Sequence, residues 1–149
     1  MHTRTFHLNL KMPLVSAVLL GVFLAPANAL DITDADKLLF RKVIASQIEA
    51  FRRGDAEAAF SHASPTIKMK FGDAARFVQM AKHGYAPVYA PQTFDFAEVS
   101  DKLGVPTQHV RVIGPKGKAW LALYGFEQLA DGAWKISGVI LIRRPGAGA

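Results

Sequence analysis

Five histidines, three tyrosines and no cysteine set the reactive side chains available to this 149-residue chain. Without cysteine there is no thiol nucleophile, no thiolate metal site and no disulfide framework. His62, His83 and His109 fall in three different predicted elements, and none is spaced His-x-x-x-His along one helix. Metal ligation therefore has no support from the spacing, and no cofactor is expected. Gly114-Pro115-Lys116-Gly117 is glycine-rich but lacks the Walker pattern for cradling phosphates, and it reads as a turn. Two features remain for chemistry. Gln47 is a polar residue inside an otherwise apolar helical stripe, and Tyr85 and Tyr89 flank a proline where helices give way to strands. A buried amide must find hydrogen-bond partners, so Gln47 either bonds nearby backbone or meets a ligand or water in a cavity. Together with Trp120, these residues form the expected ligand-binding set: Gln47, Tyr85, Tyr89 and Trp120, polar groups that orient a small apolar ligand in an apolar pocket.

These side chains depend on the elements that hold them. Thr33, followed by Asp34 and Asp36, predicts a helix N-terminus. Phe40, Val43, Ile44, Ile48 and Phe51 then recur at helical spacing, and Gly54 ends the helix as the residue past its C-cap. Asp55 caps a second helix from Ala56 to about Ala63. Ser64-Pro65 supplies an N-cap and first position for a short turn of helix reaching about Met69. His62, at that joint, reads as a surface or capping residue. Asp73 starts another helix whose buried face carries Phe77, Met80 and Ala81, with Gly84 as its left-handed exit. Ala86 to Pro91 is expected to be extended, because each proline disfavours helix for the residue before it.

The second half reads as four strands: 93–100, 107–113, 118–128 and 133–144. The last three form a meander whose turns are Gly114–Gly117 and Asp131-Gly132. With a two-residue loop at Pro115-Lys116, Arg111 lies opposite Trp120 and Val112 opposite Ala119. With Asp131-Gly132 as the second loop, Leu121 lies opposite Ile142 and Leu123 opposite Ile140. One face then carries Val110, Val112, Leu121, Leu123, Ile136, Ile140 and Ile142, and this aliphatic face is expected to take the helices. The other carries His109, Arg111, Trp120, Ala122, Tyr124, Phe126, Val139 and Leu141. It is too apolar to be left in water, so it is expected to pack against a second copy, with Arg111, Tyr124 and Phe126 at the dimer face. A bulge would exchange residues between the faces.

The formal net charge is +6. Arg4 and Lys11 precede an apolar run, Pro13 to Leu24, and Ala27-Asn28-Ala29 is a small-x-small cleavage site. Residues 1–29 thus read as a signal peptide cut after Ala29, the apolar run being shorter than the roughly 20 residues of a spanning helix. The expected destination is periplasmic or secreted, without a stable membrane anchor. The remaining chain carries no basic stripe, so nucleic acid is not an expected partner. Residues 30–144 are expected to form a single domain and 145–149 a flexible tail.

Three helices followed by a curved antiparallel sheet of about four strands is an α+β layout that resembles the cystatin-like, nuclear-transport-factor-2-like superfamily, with its cone between helices and sheet. Gln47, Phe51, Gly54-Asp55, Ala58-Ala59-Phe60, Ala63-Ser64-Pro65, Phe71-Gly72, Phe77, Gly84-Tyr85, Pro87 and Tyr89 also resemble the recurring pattern of a bacterial family known as domain of unknown function 4864. The superfamily includes lyases and isomerases with an acid/base pair in the cone, and many non-catalytic binders. The resemblance implies the fold and leaves the function open. With the signal-peptide pattern and the Gln47–tyrosine set, the expected function is an exported, non-enzymatic binder of a small apolar ligand or a partner protein, dimeric through the sheet. The alternative is a lyase- or isomerase-type enzyme with Asp95 or His83 as general base and a tyrosine as donor. Fold alone does not choose between them.

Overall fold

The computed structural model describes residues 31–146. The expected signal peptide and the last three residues of the expected tail lie outside the described residues. The architecture is α+β: five helices, then a four-stranded antiparallel sheet in the order β1-β2-β3-β4.

The local signals place the helices. Thr33 closes a capping box with Asp36 at the start of α1 (Asp34–Arg52), and Gly54 takes the positive φ that follows the helix. Asp55, Ser64 and Asp73 each accept a backbone N–H as N-caps of α2 (Ala56–Ser61), α3 (Pro65–Phe71) and α4 (Ala74–Gly84). Two local expectations need correction. Gly84 lies inside α4 without a positive φ, and the helix ends at Tyr85 with extended φ. The segment after it is not extended: Ala86–Tyr89 forms a single turn, α5. Pro87 sits in the first turn of α5, where its missing N–H has no intrahelical partner to lose. Ala90, before Pro91, leaves the helical region with φ −137° and ψ 61°, in keeping with the bias of a pre-proline residue away from helix.

The strands are β1 (Thr93–Ser100), β2 (Thr107–Ile113), β3 (Ala119–Gln128) and β4 (Trp134–Arg143). Both hairpin loops contain three residues rather than two, with Gly117 and Gly132 at positive φ as the last loop residue. The added residue in the first loop pairs Val112 with Trp120 and Arg111 with Leu121, one step from the expected register. In β3–β4 the same shift is cancelled by a bulge at Ser137, so Leu121↔Ile142 and Leu123↔Ile140 pair as expected.

The face assignment is consequently reversed for β3 and for β4 beyond the bulge, while Val110, Val112 and Ile136 face the helices as expected. Val110, Val112, Ala122, Tyr124, Phe126 and Ile136 form the inner face against α1, with Trp120, Val139 and Leu141 packed beside them. Tyr124 and Phe126 are at most 1% exposed, so they are core residues and not a dimer face. Phe40 of α1 stacks on Phe126 at 4.3 Å and meets Trp134 edge-on at 5.0 Å. Each such ring contributes roughly 1.5–3 kcal/mol by leaving water. The physical reason for the reversal is size: β3 presents its rings to a helix bearing Phe40, Ile44 and Ile48, which fill the gap between layers. The aliphatic set, Leu121, Leu123, Ile140 and Ile142, is left outside with Arg111, and Ile140 remains 51% exposed.

Candidate functional site

Near the end of α1, the interior changes character. Gln47 is buried among phenylalanines and alanines, and its Nε2 donates to the carbonyl of Ala59 at 3.1 Å. Ala59 stands in the last turn of α2, where carbonyls have lost their intrahelical donors. The amide therefore serves as a side-chain cap on a neighbouring helix. It also lines a cavity of about 280 Å³.

Three devices hold that cavity open. First, the α2–α3 joint is tied to the sheet edge: Ser64 N–H donates to Ile136 O and Ile136 N–H to His62 O, both at 2.9 Å. This fixes α3 beside β4 and brings Ile67, Lys70 and Phe71 to the wall. Second, the bulge at Ser137 breaks the strand's alternation, so Ile136, Ser137, Gly138 and Val139 all contribute to the opposite wall. A regularly alternating strand presents only every second residue. Third, α4 and α5 close the remaining side with Phe77, Met80, Ala81, Tyr85 and Val88. Phe77 sits in an aromatic group, 6.1 Å from Phe51 and 5.9 Å from Phe71.

Of the four expected ligand-binding residues, Gln47 and Tyr85 meet at this cavity. Tyr89 does not line it. Its ring backs Phe51 at 5.1 Å, on the helical cluster. Trp120 lines a separate hollow of about 170 Å³ with Pro87 and Pro115, under the guanidinium of Arg143. Sequence reasoning passed over Lys70, the one charged residue on the cavity wall among the described residues. Its signal was available: it stands three residues after Ile67 and beside Phe71, on the inward stripe of α3.

The acid/base candidates fare differently. His83 is exposed on α4, and Asp95 is exposed on the outer face of β1, ion-paired with Arg111 across the strands. Neither is among the residues that line the cavity. A second polar group stands on the same outer face. Ser100 Oγ lies 2.9 Å from His109 Nε2, and Glu98 Oε1 is 3.0 Å from Nδ1. The order matches nucleophile, base and carboxylate. The Glu98–His109 approach, however, lacks hydrogen-bond alignment, and the Glu98 side chain is 68% exposed. Its carboxyl is held below the usual range by its own backbone and by His109. The group acts as a polar clamp between β1 and β2, beside a bulge that Gln108 pins through Ala97 O and Glu98 O.

Electrostatically, the α2–α3 end is cationic. His62 is held below its ordinary pKa, first by burial and then by Lys135, Lys68 and Arg53. No cluster of three metal-ligating side chains occurs among the described residues, and no described helix is long and apolar enough to cross a membrane.

A family model described as domain of unknown function (DUF4864) matches residues 33–149, which takes in every element of the fold and the whole cavity. No curated protein and no solved structure gives a significant match. The match runs from the N-cap of α1 through the sheet, well over half of the sequence, and the chain therefore belongs to the DUF4864 family.

Proposed function

We propose that this protein is an exported, non-enzymatic binding domain of nuclear-transport-factor-2-like type that holds a small, largely apolar ligand between its helices and β4. The observation that carries this reading is the cavity of about 280 Å³, walled by aromatic and aliphatic side chains around one buried amide. Ligand pockets combine mostly apolar walls with a few fixed polar groups, and their volumes begin at about 300 Å³. Gln47 is pre-oriented by its bond to Ala59 and meets a ligand without further ordering, which favours affinity.

The outer sheet face supports a dimer as part of the same reading. Leu121, Leu123, Ile140 and Ile142 are cross-strand neighbours and form a continuous aliphatic patch. A second copy would cover it, in place of the aromatic face now assigned to the core. Export rests on the residue pattern of positions 1–29, and bacterial origin on the family resemblance.

The test is to produce the full chain in a bacterial host, recover the exported protein, and examine it by native mass spectrometry and organic extraction. The expected result is a mature chain beginning at Leu30 that carries a copurifying small molecule lost in Gln47→Leu. Ligand-free protein whose cavity residues show no response to any apolar compound would refute the binding reading.

A further inference from the structure

The cavity wall has a charge asymmetry that bears on what it selects. Its residues include no carboxylate, and its one charged side chain is Lys70, exposed at the mouth, whereas Gln47, Phe77 and Val88 lie buried within. Lys70 has no ion-pair partner among the described residues, and its ammonium lies 5.6 Å from the Phe71 ring. Asp73, three residues on from Lys70, is engaged elsewhere: it caps α4 and pairs with Arg76. Lys68 and Lys135 add positive charge near His62, whose pKa is lowered first by burial and then by these cations.

Resting on the ligand-binding reading above, we propose that the cavity selects a monoanionic amphiphile, a medium-chain monocarboxylate. Its apolar body lies against Phe51, Phe77 and Val88, and its carboxylate remains at the mouth beside Lys70. Size agrees. A volume of about 280 Å³, at roughly 30 Å³ per water-sized group, holds on the order of nine heavy atoms. Desolvation agrees as well. A carboxylate kept at an exposed lysine retains most of its hydration, whereas one drawn down to Gln47 would be buried unpaired.

Three eight-carbon probes with different heads separate the possibilities: octanoate, 1-octanol and octylammonium. Each is titrated calorimetrically into the mature domain at low ionic strength, alongside backbone amide shifts of the cavity residues. Octanoate is expected to bind about three- to fivefold more tightly than octanol, the range of an exposed ion pair, with octylammonium weakest. Lys70→Gln should equalise octanoate and octanol, Lys70→Glu should put octylammonium ahead, and 1 M salt should narrow the differences. Equal binding of the three heads, or a preference that survives Lys70→Gln, overturns the anion selection while leaving the cavity as a ligand site. Failure of all three probes to bind or shift the cavity amides removes the binding reading itself. Lys70 is exposed, so its replacement leaves the core intact.

Discussion

Replacing Gln47 with leucine separates the residue's structural work from its part in binding. The amide donates 3.1 Å to the Ala59 carbonyl, and both residues are buried. Leucine has nearly the same volume, so packing is conserved and the lost donor is the main change. A buried carbonyl deprived of its partner costs about 1–3 kcal/mol. The added apolar carbons return part of this, so the net destabilisation is expected at about 1–2 kcal/mol. A domain of this size shifts by about 4 °C per kcal/mol, which predicts a melting midpoint lowered by about 4–8 °C. The assay is thermal and urea unfolding followed by far-ultraviolet circular dichroism, with an unchanged urea slope showing that the native state is otherwise the same. Gln47→Glu provides the harsher comparison, because it turns an ionised carboxylate toward the same carbonyl. A Gln47→Leu midpoint equal to or above wild type would refute the reasoning, since the amide would then not be capping α2.

Three further outcomes follow from the packing. Tyr124 is 1% exposed, its hydroxyl has no hydrogen-bond partner among the described residues, and burial pushes its pKa up. Tyr124→Phe is therefore expected to stabilise the domain by about 1–2 kcal/mol in urea unfolding, and a lower midpoint would mean that the hydroxyl is satisfied. Ile140→Glu, on the exposed aliphatic face, should convert a dimer to a monomer in sedimentation velocity with little change in melting temperature. A wild-type protein already monomeric at micromolar concentration would remove that interface. His62 is held below its ordinary value of 6.5 by burial and cationic neighbours. The unfolded chain thus binds the proton first, and stability falls as pH drops below about 6.5 towards the folded value. His62→Gln should flatten the pH dependence of the urea midpoint between pH 7 and 5; an unaltered profile would assign it to other groups.

Much of this molecule is local in origin. The caps at Thr33, Asp55, Ser64 and Asp73 each depend on one short polar side chain meeting N–H groups two or three residues ahead, and all four stand where the sequence puts them. The bounds of β1 and β2 were equally readable from turn residues and alternation. Gln47 stands out as polar within an apolar stripe, and its amide bonds backbone, the Ala59 carbonyl, at the wall of a cavity. Legibility failed where two local rules competed. Pro87 disfavours helix for the residue before it, yet a first-turn proline is compatible with one, and only the docking of α5 on its neighbours decides between them.

The sequence by itself determined the order of helices and strands, their caps and turns, and the existence of two apolar sheet faces. Which face is inside was a tertiary decision. Alternation sorts residues into two sets, but a one-residue difference in loop length moves a whole strand to the other set. Here a three-residue loop did so for β2 against β3, and the bulge at Ser137 undid the same shift in β4. With both faces apolar, hydrophobicity could not choose between them. The fit of Tyr124 and Phe126 under Phe40, Ile44 and Ile48 did. The cavity is tertiary for the same reason: its wall joins residues of α1, α3, α4, α5 and β4, brought together by the Ala63–Ile136 bridge and a bulge that no local pattern announces.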